Sequence, residues 1–240
     1  MTMRIAMWSG PRNLSTAMMY AFAARGDCAA WDEPFYAAFL ASSGLAHPMQ
    51  DDVLAAGETD PAKVARACAD DPAGGQPLFY QKHMTMHMMP DFPFDFMAMC
   101  RNVFLIRHPA RVVASYARKR EGPTLFDLGF AQQADLFQRE ADRLGAAPLV
   151  IDSADIRANP PEALAKLCGA LGIAFTDRML SWPAGPKPHD GVWAPHWYGA
   201  VHRSTGFEEA EEELPVLTAE YQHLADQALP HYHRLRAFAL

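Results

Sequence analysis

Two short segments carry residue types able to hold an anion. The first, Ser9-Gly10-Pro11-Arg12-Asn13-Leu14-Ser15-Thr16, lies between an apolar run and a stretch of helical composition. A helix N-terminus presents N–H groups without intrahelical partners and a partial positive charge, so an anion placed there is stabilised. Gly10 would let the backbone approach such a ligand, Arg12 offers a forked donor, and Ser15 or Thr16 could add a hydroxyl. The plainer alternative is an ordinary turn with a surface arginine. A Walker A loop is excluded, because the second Gly and the Lys-Ser/Thr pair of GxxxxGK[ST] are missing. The second segment, Leu105-Ile106-Arg107-His108-Pro109-Ala110-Arg111-Val112-Val113-Ala114-Ser115-Tyr116, ends an apolar run at Arg107 and places Ser115 on the helix that follows. Arg107 and Ser115 could converge on one phosphate. Otherwise Arg107 is a helix-flanking ion-pair partner and Ser115 a helix-surface hydroxyl.

A proton acceptor has three candidates. Glu33 lies in Trp31-Asp32-Glu33-Pro34-Phe35, and His83 and His87 lie in Gln81-Lys82-His83-Met84-Thr85-Met86-His87. A Glu before Pro is often a helix cap or surface carboxylate, and Asp32 is an equal rival. The histidines, at i and i+4 among methionines, could pair on a metal. Two His with no evident third ligand make a weak site, so no metal is expected.

These groups need elements to position them. Arg4–Trp8, Cys28–Trp31, Leu78–Gln81, Asn102–Ile106 and Pro148–Ile151 read as short buried strands. Helices are expected over Leu14–Arg25, about Phe35–Ser42, Pro61–Ala69, Ala110–Arg120, Phe126–Leu144, Pro161–Leu171 and Leu214–Leu229. Residues 44–76 otherwise hold turn residues, Met84–Cys100 resists assignment, and 182–207 are aromatic and turn-rich. Strands alternating with helices predict a three-layer α/β/α fold around a mainly parallel sheet, as one domain over residues 1–240. Arg12, Glu33, Lys82 with His83, and Arg107 all fall just after strands, where such sheets collect ligands.

A length of 240 residues with 50% hydrophobic and 20% charged side chains suits one folded domain and argues against disorder. The net charge of -7 argues against nucleic acid or an anionic membrane as partner. Yet Arg107, Arg111, Arg118, Lys119 and Arg120 cluster, which suggests a small anionic ligand. The cysteines Cys28, Cys68, Cys100 and Cys168 are isolated, and no run reaches signal-peptide or membrane-span character, so a cytoplasmic setting is expected.

Together the two anion-holding segments resemble sulfotransferases that use 3′-phosphoadenosine 5′-phosphosulfate. In that family the loop after the first strand carries a basic residue followed by Ser or Thr, a P-loop-like strand–loop–helix. A later strand ends in Arg-x-Pro with a Ser eight residues beyond the Arg, and that pair binds the 3′-phosphate. Arg12, Ser15 and Thr16 match the first pattern; Arg107, Pro109 and Ser115 match the second with the same spacing. The resemblance is good over about residues 4–20 and 102–120. It implies a sulfotransferase with nucleotide-binding residues Gly10, Pro11, Arg12, Asn13, Leu14, Ser15, Thr16, Arg107 and Ser115. Val201–Phe207 lies where such enzymes close a loop over the nucleotide, which adds Arg203, Ser204 and Thr205, with Trp193 or Phe207 to stack on adenine. Many cytosolic members have Lys where Arg12 stands, and a His two residues after a Lys, whereas Lys82 and His83 are adjacent here.

Glu33 occupies what looks like the catalytic Glu position of Golgi and several bacterial members. It ranks first as base, His83 next and His87 third, with Lys82 at the bridging oxygen and Arg12 on the leaving phosphate. The Met- and Phe-rich stretch Met84–Met99 and the segment Trp193–Tyr198 could line an acceptor pocket or simply fill the core. Expected partners are a small-molecule acceptor and, at most, a second copy of the chain. The competing readings are a phosphotransferase or nucleotide hydrolase, with Asp152 as its metal-holding residue, and a non-catalytic phosphonucleotide-binding domain.

Overall fold

The computed structural model describes residues 2–119, 122–210 and 213–240. Arg120, part of the basic cluster, lies outside them. In chain order the elements are β1 (Met3–Ser9), α1 (Ser15–Ala24), β2 (Cys28–Asp32), α2 (Tyr36–Ser43), α3 (Gln50–Ala56), α4 (Pro61–Ala69), β3 (Leu78–Met84), β4 (Arg101–Ile106), α5 (Pro109–Ala117), α6 (Leu125–Leu128), α7 (Phe130–Leu144), β5 (Leu149–Asp152), α8 (Ser153–Ala158), α9 (Pro160–Leu171), α10 (Ala194–Trp197) and α11 (Ala219–Arg236). The strands form one parallel sheet in the order β2-β3-β1-β4-β5. The chain thus goes from β1 to the far edge at β2, comes back to β3 beside β1, and then builds β4 and β5 on the other side.

Both faces of the sheet are covered, as strands buried along successive residues require. Side chains alternate along β1: Ile5 and Met7 join a core with α1 and α9, while Ala6 and Trp8 join one with α4, α5, α7 and α11. A third, smaller cluster gathers Tyr36, Phe39, Met84, Met86, Trp193 and Tyr198 beyond β2 and β3.

Three departures from the sequence reading have local causes. The helix expected over Phe126–Leu144 is two, α6 and α7, because Gly129 adopts φ 71° between them. There a Cβ would stand 2.6 Å from Thr85 Oγ1, so glycine is required on both counts. The last helix starts later than Leu214, at the cap Thr218, and runs through Pro230 to Arg236. β3 continues past Gln81 to Met84, which alters how its polar residues point.

Candidate functional site

A cavity of about 320 Å³ opens beyond the carboxyl ends of the strands. Its arginines all come from the β1–β4–β5 half of the sheet. Arg12 follows β1, Arg107 follows β4, Arg118 ends α5 and Arg157 lies on α8 after β5.

The loop after β1 is held rather than free. Arg12 and Leu14 are left-handed, at φ 61° and 73°, conformations that turn backbone N–H groups toward a concave side. The Asn13 amide donates to the Leu105 carbonyl at 3.3 Å, and Arg107 Nη1 donates to the Arg12 carbonyl at 2.6 Å. Gln133, on α7, donates to the carbonyls of Trp8 (3.0 Å) and Leu105 (2.9 Å), fixing the ends of β1 and β4. α1 has no side-chain cap, and Ser15, Thr16 and Ala17 of its first turn line the cavity. Arg12 Nε donates to Ser115 Oγ at 3.0 Å, so the two sequence motifs meet directly. Burial, with Arg107 and Arg118 nearby, lowers the Arg12 pKa. An anion would relieve that crowding. Arg157 is ion-paired with Glu208 at the same cavity.

The β2–β3 half supplies a different chemistry. Lys82 is buried, and its ammonium contacts Glu33 Oε1 (2.5 Å), the Tyr198 hydroxyl (2.6 Å) and Asp32 Oδ1 (2.8 Å). Burial alone would lower its pKa, but Asp32 and Glu33 outweigh that and raise it, so Lys82 is a cation. Two carboxylates therefore share one positive charge. Asp32 is the better satisfied: it also accepts the Tyr198 hydroxyl (2.7 Å) and the Gly191 N–H (3.1 Å). Glu33 is the surplus carboxylate, held at φ 44°, a strained conformation for a non-glycine residue. Burial raises its pKa, Lys82 opposes and Asp32 adds to the rise. A carboxylate tuned upward beside a cavity has the character of a general base. His87 Nδ1 lies 3.9 Å from Glu33 Oε2, and its ring stacks on Tyr36 with centroids 4.4 Å apart. Burial keeps that imidazole neutral by pushing its pKa well down.

Pro11, Arg12, Asn13, Leu14, Ser15, Thr16, Glu33, Lys82, Arg107, Ser115 and Ser204 all line this one cavity. His87 lines it as well, whereas Gly10, His83, Arg203 and Thr205 do not. A Cβ at Gly10 would stand 2.4 Å from the Leu128 carbonyl oxygen, so that glycine serves close packing on α6 instead of ligand approach. His83 faces the opposite side of the sheet from Lys82, because β3 carries both and successive residues alternate. Its ring stacks on Trp8 at 4.3 Å, its Nε2 meets Gln81 Oε1 at 3.1 Å, and burial pushes its pKa down to about 3. His83 thus lies outside the cavity that His87 lines.

Lys82 reaches the cavity, where its three N–H donors are engaged by Glu33, Asp32 and the Tyr198 hydroxyl. Arg203 and Thr205 are exposed and outside the lining. Trp193 supports Tyr198 through a 3.1 Å hydrogen bond, and Phe207 packs on Trp182. Asp152 caps α8 and accepts the Tyr232 hydroxyl at 2.7 Å in the core, away from the cavity. Sequence reasoning missed Arg157 and Tyr198 as individual site residues. Tyr198 was visible only as part of the aromatic run Trp193–Tyr198.

Among solved structures, the sulfotransferase domain of the olefin synthase of Synechococcus PCC 7002 shares the fold: TM-score 0.51, 19% identity, 93% of each chain covered. Two proteins of Arabidopsis thaliana, branched-chain-amino-acid aminotransferase-like proteins 1 and 2, are 36% and 35% identical over 97% of this chain. The chain spans about two fifths of their length, 41% of each. Residues 3–239 match the family described as the sulfotransferase domain. A match of that extent, on a fold whose β1 loop and α5 meet through Arg12 and Ser115, assigns this chain to the sulfotransferase domain family.

Proposed function

We propose that this chain moves a sulfuryl group from 3′-phosphoadenosine 5′-phosphosulfate to a hydroxyl or amine of a small acceptor, with Glu33 as general base and residues 1–240 acting as one cytoplasmic domain. The observation that carries the reading is the shared cavity. Arg12, Ser115 and Arg107 converge from one half of the sheet, and the surplus carboxylate Glu33 enters from the other.

The donor supplies an electrophilic sulfur and a phosphate that departs with the electron pair of the broken S–O bond. The residues present fit it. The uncapped first turn of α1 and the Arg12 guanidinium suit a 5′-phosphosulfate, and Arg107 with Ser115 suits a 3′-phosphate. Fixed positive charge aimed at a departing phosphate is the larger part of catalysis in such transfers. Arg12 does this as a permanent cation that keeps its proton. Glu33 takes the acceptor proton, a contribution of roughly 10²–10⁴-fold. Lys82 holds Glu33 by one oxygen, and Tyr198 and Gly191 hold Asp32, so the base keeps its direction. The acceptor end is walled by Tyr36, Met84, Met86 and neutral His87, beside an acidic group. This supports an acceptor that is uncharged or cationic and mainly apolar where it meets the wall.

Calorimetric titration with 3′-phosphoadenosine 5′-phosphate, AMP and ATP tests the donor assignment. The expected result is a clear preference for the 3′-phosphorylated nucleotide that Arg107→Ala reduces at least tenfold, since a charged hydrogen bond to phosphate is worth ~1.5–3 kcal/mol. Equal or absent binding of the three nucleotides would overturn it.

A further inference from the structure

The segment Lys187–Gly206 forms one wall of the cavity through Trp197, Tyr198, Val201 and Ser204. Most of it is irregular, with only α10 and a short turn of helix at Val201–Arg203. Among its attachments to the rest of the fold, one carboxylate gathers several bonds at once: Asp190, whose side chain is 5% exposed. Asp190 accepts the Tyr20 hydroxyl from α1 at 2.7 Å, the Lys187 backbone N–H at 2.7 Å, and lies 3.0 Å from His202 Nε2. One residue on, the Gly191 N–H donates to Asp32, which also takes the Tyr198 hydroxyl and the Lys82 ammonium.

Resting on the reading above, we infer that Asp190 is a positioning residue for the transfer: it ties α1, the Lys187 turn and His202 into one anchor that seats Gly191 and Tyr198 on Asp32. The logic is one of allocation. Lys82 has three donors and two carboxylates to serve. Asp32 stays in its place only while the Gly191 N–H and the Tyr198 hydroxyl hold it from the far side. If the wall drifts, Asp32 loses two donors, Lys82 shifts toward it, and Glu33 loses the contact that aims it into the cavity. Asp190 touches none of the cavity-lining arginines, and the wall's bond to one of them, the Trp197 carbonyl accepting from Arg12 Nη1, is long at 3.4 Å, so the larger effect falls on the base. Tyr20 reports the same design. Burial first, then the bond to Asp190, raise its pKa, which keeps the hydroxyl a donor.

The test compares Asp190→Asn with wild type, using Tyr20→Phe as a milder variant that removes one donor. His202→Gln is added as the conservative change that keeps an N–H donor, with His202→Ala as its counterpart. Hydrogen exchange of the folded proteins should show amides of 187–206 opening roughly tenfold faster or more in Asp190→Asn, with β1 and α7 amides unchanged, the scale of one lost bond to a charged group. In turnover assays kcat should fall by a similar factor while the dissociation constant of 3′-phosphoadenosine 5′-phosphate stays within about twofold. His202→Gln should retain most of the kcat that His202→Ala loses.

Unchanged exchange in 187–206 for both Asp190→Asn and Tyr20→Phe would overturn the inference. So would a loss of nucleotide affinity equal to the loss in kcat. Should the wild-type protein fail to bind the nucleotide, the donor assignment falls, while the exchange result still decides the anchoring role of Asp190.

Discussion

Replacing Lys82 with methionine keeps most of the side chain's length and removes its charge. The consequence follows from the surroundings. The Lys82 side chain is 2% exposed, and its partners Asp32 and Glu33 are 2% and 10% exposed, so water cannot replace the lost cation. The three contacts of 2.5, 2.6 and 2.8 Å disappear together, and two carboxylates are left facing one another. Removing one partner of a buried ion pair costs about 3–5 kcal/mol, most of it from the stranded charge. Urea denaturation at pH 7 should show a loss in that range.

The pH dependence supplies a sign. In the variant Glu33, already raised by burial, loses the Lys82 charge that opposed the rise, so the native state binds more protons. Stability then falls as pH rises, and the deficit relative to wild type narrows on going from pH 7 toward pH 4. Adding Asp32→Asn to the variant removes half of the stranded charge and should recover part of the loss, a non-additive outcome expected only of groups in contact. A deficit below about 1 kcal/mol at pH 7, or one that ignores pH, would refute the buried two-carboxylate arrangement.

Glu33→Gln should abolish turnover and leave affinity for 3′-phosphoadenosine 5′-phosphate nearly intact; retained turnover would remove Glu33 from the role of base. The same variant should gain stability relative to wild type as pH rises from the ordinary carboxylate range through the raised Glu33 pKa, because a carboxyl whose folded pKa is raised stabilises only while protonated. A gain that shrinks with pH, read by thermal melts, would contradict the burial argument. Gly129→Ala meets both a left-handed φ of 71° and a 2.6 Å approach to Thr85 Oγ1, whose own 2.9 Å bond to the Gly129 carbonyl prevents an easy retreat. A loss of about 2–4 kcal/mol is expected by denaturation, and one below about 0.5 would show that the turn relaxes freely.

The ends of every strand but β3, to within one residue, and the two anion-holding segments were legible because their signals are local: an apolar run, a turn, then a helix start. Arg107 and Ser115, expected to converge, do line one cavity, and Arg12 bonds to Ser115 there, a contact the sequence did not announce. What escaped was set by partners distant in sequence. Lys82 and His83 look like residues beyond the end of the strand, yet, like Gln81 before them, each is buried in β3 because something far off satisfies it. Gln81 donates to the Cys68 carbonyl, Lys82 has Asp32, Glu33 and Tyr198, and His83 lies between Trp8 and Gln81. That shift of the strand end by three residues was enough to send His83 to the wrong face. The α6–α7 break is of the same kind. Gly129 inside an amphipathic pattern reads as a tolerated glycine, and only Thr85 and Gly10 across the gap make it a turn. Arg157 carries no motif at all, and its position after β5 becomes informative only once the sheet order puts β5 beside β4.

The bracing of the β1 loop has a kinetic side. Asn13 tied to Leu105, Arg107 tied to the Arg12 carbonyl, and Gly10 pressed on Leu128 leave the loop no slack to close around an arriving anion. Capture there is a docking event onto a finished surface, so its speed is governed by how the ligand is steered. An acidic chain, net charge -7, repels a polyanionic nucleotide at long range, while the arginines around the cavity attract it at short range. Salt screens the distant repulsion before it reaches the partly enclosed arginines. Small additions of salt should therefore cost this protein far less encounter speed than they cost a protein whose whole surface is basic.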